Sequence, residues 1–169
     1  MQATLLIVVL WVAFSASHMV LSATPVRTKL VAAMGEWAFR GLYSAVALAI
    51  FIPLVWVYFD NKHAGPLLWF VPVNDALRGL LYLANVAAFI LIAAGYFNPS
   101  PATVGMRRVL HRPIHDITRH PLFMGMGLWG LAHLIPNGYA SDVAFFAGFP
   151  VFAVIGSWHQ DLRHGRTRG

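Results

Sequence analysis

Cysteine is absent from this chain, and charge is scarce. Without a thiol there is no disulfide, no thiolate metal site and no cysteine nucleophile. Only 11% of the 169 residues are charged, against roughly 25% in a soluble domain. Acidic groups are the rarer sign, six against twelve Lys and Arg, which leaves a formal charge of +6. Apolar residues make up the balance at 59%, beyond the roughly 45–50% of soluble proteins. Both departures point to lipid as the solvent. At this length a single domain over residues 1–169 is expected. The sequence pI is about 10.3, yet no basic run is interleaved with aromatics, so nucleic acid is not an expected partner.

Long apolar runs dominate. A membrane-spanning helix needs roughly 20 mostly apolar residues, and five stretches approach that: 3–21, 41–59, 76–97, 121–135 and 142–158. The expected fold is therefore all-α, a polytopic bundle of about five transmembrane helices. The first stretch has no Lys or Arg before it, unlike the positive start of a secretory signal, and is expected to stay as a span. Pro53 is expected to kink the second. Residues 67–73, set between Pro66 and Pro72, read as an interfacial or re-entrant piece. Residues 98–119 form the longest polar connection. Repeats and low-complexity tracts are absent.

The cations segregate under a five-span topology. Arg27, Lys29 and Arg40 lie in the first connection, Arg107, Arg108, Arg112 and Arg119 in the third, and Arg163, Arg166 and Arg168 in the tail. The opposite side holds only Lys62 and Arg78. The positive-inside rule then puts the N-terminus outside and the C-terminus in the cytoplasm. Membrane lipids, with anionic headgroups near these cations, are the expected surroundings. Most of the six tryptophans suit an interfacial belt.

Eight histidines are the anomaly in so apolar a chain, because an ionisable side chain in a span is costly and points to a site. His18, near the end of the first span, His120, opening the fourth, and His159, ending the fifth, share a depth. His133 follows His120 by 13 residues, about 20 Å along a helix, and belongs to the other leaflet. A haem iron accepting two imidazoles from facing helices would suit His18 and His120. A non-haem metal would add His159 and Asp161. The plainer alternative is that each histidine only hydrogen-bonds one helix to another, at about 1 kcal/mol. His63, His111, His115 and His164 fall in loops and are expected to be solvated. Pro121 suits a first helical turn, Arg119 can reach headgroups, Thr118 can cap the helix, and Glu36 with Arg40 fits an i,i+4 pair. Gly125, Gly127 and Gly130 allow close approach of a neighbouring helix or a flat ligand.

Three segments carry a family resemblance. They are His18; the block Gly35-Glu36-Trp37-Ala38-Phe39-Arg40-Gly41-Leu42-Tyr43-Ser44; and Ile117-Thr118-Arg119-His120-Pro121 with Leu128-Trp129-Gly130-Leu131-Ala132-His133-Leu134 and Asn137-Gly138. In these the chain resembles the NnrU family of bacterial membrane proteins, over almost its whole length. The resemblance implies an inner-membrane protein linked to nitrogen-oxide metabolism (denitrification). It also implies kinship with the 15-cis-zeta-carotene isomerases, which hold a b-type haem between histidines and gate isomerisation by its redox state. Carried over by position, His18 and His120 are the implied haem-b ligands, with His133 third and Arg119 beside the site. An apolar polyene is then the implied substrate and a membrane redox protein the implied partner. A non-enzymatic accessory role in nitrogen-oxide respiration stays open. So does S-adenosylmethionine-dependent methyl transfer, because Arg119-His120-Pro121-Leu122-Phe123-Met124-Gly125 resembles a motif of membrane methyltransferases. Their acidic pair after the last span is replaced here by His159-Gln160-Asp161-Leu162-Arg163.

Overall fold

The computed structural model describes residues 1–97 and 114–166. Arg107, Arg108, His111, Arg112 and Arg168 lie outside the described residues, as do the side chains of His115, His164 and Arg166. Seven helices follow among the described residues: α1 (Gln2–Ser22), α2 (Thr24–Met34), α3 (Glu36–Asp60), α4 (Asp75–Phe97), α5 (Ile114–Ile117), α6 (Pro121–Leu134) and α7 (Ala140–Arg166). Four of them, α1, α3, α4 and α7, are long and apolar enough to cross a membrane. The fourth expected span is realised as α6, whose 14 residues cover only about 21 Å. The protein is an all-α polytopic membrane bundle.

Two connections are more helical than expected. The first polar connection folds as α2, entered by Pro25 and ended at Gly35, whose φ of 85° only a glycine adopts freely. The expected tail is the last turns of α7, which puts Arg163 on the bundle with its guanidinium 3.0 Å from the Ser22 carbonyl. Residues 67–73 hold no helix. They run extended over the α6–α7 turn, with the Leu68 N–H on the Gly138 carbonyl at 2.8 Å and the Trp69 indole on the Leu134 carbonyl at 3.2 Å.

Side-chain spacing explains how the helices pack. On α7, Phe145, Phe149 and Phe152 recur at intervals of four and three, which sets them on one face. With Phe146 they form the core against Ile7, Trp11 and Phe14 of α1 and Leu54 and Tyr58 of α3. Trp11 stands edge-on to Phe149 at 4.9 Å, and its indole N–H reaches the Phe145 carbonyl at 3.0 Å. It is a core residue, not part of an interfacial belt, because α7 supplies both an aromatic wall and an acceptor. Facing outward, Val12, Phe89, Ile90 and Val154 remain exposed, as lipid contact requires.

Helix α6 is sandwiched between α4 and α7, and small residues make both contacts close. A Cβ at Gly125 would stand 2.7 Å from the Ala88 carbonyl oxygen of α4, and one at Gly130 the same distance from the Phe146 carbonyl oxygen of α7. Backbone cannot step aside as a flexible side chain can. We therefore expect Gly125→Ala to lower stability by about 1–3 kcal/mol. Gly79→Ala on the same α4 meets nothing within 4 Å and should be neutral or stabilising by under about 1 kcal/mol. Thermal melts of the two variants in detergent test the pair, and equal melting shifts would refute the sandwich geometry.

Candidate functional site

The ends of α1, α6 and α7 converge on one polar cluster. His18 donates its Nδ1–H to the Phe14 carbonyl one turn back, at 2.8 Å, which fixes the tautomer and leaves Nε2 bare. Ser22 donates its hydroxyl to the His18 carbonyl at 2.6 Å. Its oxygen therefore accepts from the His159 Nε2–H at 3.1 Å. His18, Tyr43, His159, Gln160 and Arg163 border one cavity of about 40 Å³. His18, expected at the depth of His120 and His159, meets α7 at Phe152 with its ring 5.3 Å away and shares its cavity with His159 and Gln160, while His120 reaches Gln160 and Asp161.

The same turn of α7 divides them. His120 is buried, with Nδ1 3.1 Å from the Gln160 side-chain amide and Nε2 3.0 Å from Asp161 Oδ1. Arg119 reaches the other Asp161 oxygen at 3.4 Å from a largely exposed position. Thr118 does not cap α6; its hydroxyl accepts from the His120 N–H at 3.2 Å, one residue ahead of the helix. Pro121 stands at the start of α6, as expected.

The donor set bears on haem. His18 meets one requirement of an iron ligand, a bare Nε2 with the other ring nitrogen anchored. His120 does not, because both of its ring nitrogens are engaged. The cavity at His18 has room for about one water, whereas ligand pockets run to roughly 300–1,000 Å³. As packed, His18 and His120 leave no space for a macrocycle between them. Among the described residues no group of three or more His, Asp or Glu side chains is placed to hold a metal ion.

A second, apolar site lies on the opposite side of the core. Helices α3 and α4 are not a packed pair, and the gap between them, floored by α6 and α7, is a groove of about 560 Å³. Eight of its thirteen lining residues are Phe, Tyr or Trp, so its walls are mostly ring faces. His133 lines it too. Its Nδ1 bonds the Trp129 carbonyl at 2.8 Å, and its ring lies 5.0 Å from Phe146, nearly parallel. His133 therefore serves a different site from His18 and His120.

Two polar clusters were not evident in the sequence. His63, expected to be solvated, takes φ 57° and donates both its backbone N–H (3.1 Å) and its Nδ1–H (2.7 Å) to Asp142, whose side chain is fully buried. The one available signal was an acid opening an apolar span. At the other end Glu36 holds Arg40, as expected, and also Arg27, whose guanidinium NH2 lies 3.0 and 2.9 Å from its two oxygens.

Long apolar helices, an aromatic groove between two of them and a histidine cluster at one end define the class as a multi-pass membrane protein. The chain belongs to the NnrU protein family, which it matches over residues 5–169. It is similar to the chloroplastic 15-cis-zeta-carotene isomerase of Zea mays, 26% identical over 133 residues, or 77% of this chain and 36% of that protein. It is likewise similar to that of Arabidopsis thaliana, 24% identical over 139 residues, or 80% and 38%. The chain thus spans little more than a third of the length of these curated relatives. No solved structure matches it.

The geometry separates the two motif residues Arg119 and His120 by their roles. Removing the buried His120 ring takes this partner from Gln160 and leaves Asp161 only the long contact to Arg119, so His120→Ala should cost about 1–3 kcal/mol. Arg119→Ala removes a long, exposed ion pair and should cost under about 1 kcal/mol. Detergent melts of both variants, each with its Asp161→Asn double, measure the coupling, which is expected for His120 and absent for Arg119.

Proposed function

We propose that this chain is a membrane cis–trans isomerase of a polyene, similar in activity to the 15-cis-zeta-carotene isomerases. The groove between α3 and α4 carries the reading. It opens sideways toward lipid, where an apolar substrate dissolves, and its walls are flat rings suited to a conjugated chain. Rotation about a double bond is eased when positive character spreads along the polyene, and ring faces stabilise such charge. The similarity to the two isomerases supports the same activity.

Haem b on His18 and His120 belongs to this proposal as a cofactor. Its support is the family resemblance and the bare Nε2 of His18. Binding there requires His120 to release Gln160 and Asp161. The bacterial inner membrane, with the N-terminus outside, is the proposed location, supported by the family and by the segregated cations.

The test is isomer analysis by chromatography after the purified protein is reconstituted into liposomes loaded with a 15-cis polyene. Conversion well above protein-free liposomes is expected. No conversion, in oxidised or dithionite-reduced samples and with or without added haem, would sink the isomerase reading. Absorption spectra address the cofactor separately. A Soret band with sharp reduced α and β bands, lost in His18→Ala and His120→Ala, is expected, and a protein colourless after haem reconstitution would remove haem from the proposal.

A further inference from the structure

The aromatic face of α3 that lines the groove ends on a cation. Phe51, Val55, Tyr58 and Phe59 are spaced by four, three and one residues, which keeps them on one helical face running about 12 Å. Lys62 lies two residues past the end of α3, in the turn that follows this apolar span. Its ammonium stands 5.2 Å from the Phe59 ring centre, at the mouth of the groove. Lys62 is the only formal charge among the lining residues, and no carboxylate lines the groove. Asp60, two residues earlier, bonds the Trp56 indole, and Asp142, the partner of the adjacent His63, is buried. Among the described residues Lys62 forms no ion pair.

A groove that is hydrocarbon along its length and positive at its interfacial end complements an amphiphile with one anionic terminus. We propose that the polyene bound by this chain ends in a carboxylate or phosphate held at Lys62, its chain lying inward over Phe59, Trp129 and Phe149. The proposal rests on the groove being the substrate site. It narrows that site from hydrocarbons in general to polyenes with an acidic end. Placing the anion at Lys62 leaves it hydrated in the interface while the chain stays in the apolar layer, so neither part is buried against its preference.

The probe is cis-parinaric acid, a conjugated polyene carboxylate, compared with its uncharged methyl ester. Each is titrated into the full chain in zwitterionic nanodiscs, with energy transfer from tryptophan as the signal. The acid should bind about fivefold more tightly than the ester, as expected for one interfacial charge pair. Lys62→Gln should remove that difference by weakening the acid alone, Lys62→Arg should keep it, and Trp129→Phe should lower the transfer for both ligands. Equal binding of acid and ester, or acid binding indifferent to Lys62→Gln, would overturn the anionic terminus while leaving the groove as a polyene site. Absent binding of both ligands, or transfer unchanged in Trp129→Phe, would remove the groove itself and the proposal with it. Loss of the acid signal when part of the disc lipid is made anionic would identify the occupant as bilayer lipid and overturn the proposal as well.

Discussion

Helix α6 has only 14 residues and is held between two longer helices at backbone distance. Gly125 meets the Ala88 carbonyl on one side and Gly130 meets the Phe146 carbonyl on the other. Neither contact tolerates a side chain, and together they fix where α4 and α7 stand. Because α4 packs on α6 and not on α3, the third wall of the bundle stays open. The groove is the consequence. Filling it with a packed helix would need α4 to leave α6, and the glycines hold it there.

The spans were legible because apolar length is a strong signal in a membrane chain. The third span was placed to within one residue, 76–97 against Asp75–Phe97. Polar helices were not, because nothing apolar marks them: α2 carries Thr24, Arg27, Thr28 and Lys29, and reads as a loop until Pro25 and Gly35 are seen as its two ends. Depth, too, was legible, since helical rise alone separates His133 from His120 by about 20 Å. Contacts across helices were not. That His63 would seek Asp142 depends on residues 79 positions apart, and that α7 would give His120 both Gln160 and Asp161 depends on helix rotation. Sequence spacing does not encode such rotation between helices. Trp11 shows the same limit. Its amphipathic ring suits an interface or a core with an acceptor, and only the approach of Phe145 decides between them.

His18 and His133 repeat one local device in two different surroundings. Each anchors Nδ1 on the carbonyl four residues back, at 2.8 Å, which leaves Nε2 as the bare nitrogen. Each also leans on an aromatic neighbour of its own helix, Phe14 at 4.1 Å and Trp129 at 4.2 Å. One ring faces a water-sized polar cavity and the other a wide apolar groove. The same anchored imidazole therefore stands beside a small polar cavity in one place and an apolar groove in the other.

Between these two sites the ring contacts are unbroken. Trp129 meets Phe149, Phe149 meets Trp11, Trp11 meets Phe14, and Phe14 meets His18, with centroids 4.9, 4.9, 5.7 and 4.1 Å apart. Packed rings of this kind resist compression and leave no path for water. They hold the polar cluster and the groove at a fixed separation, and they keep the proton-exchanging groups of His18, Tyr43 and His159 away from anything lying in the groove. Among the lining residues, side-chain nitrogen and oxygen atoms belong only to Tyr58, Lys62, Trp129 and His133. Under the proposed reading, selectivity for what a bound chain carries at its end falls to those four side chains, because the rest of the wall distinguishes one hydrocarbon from another only by shape.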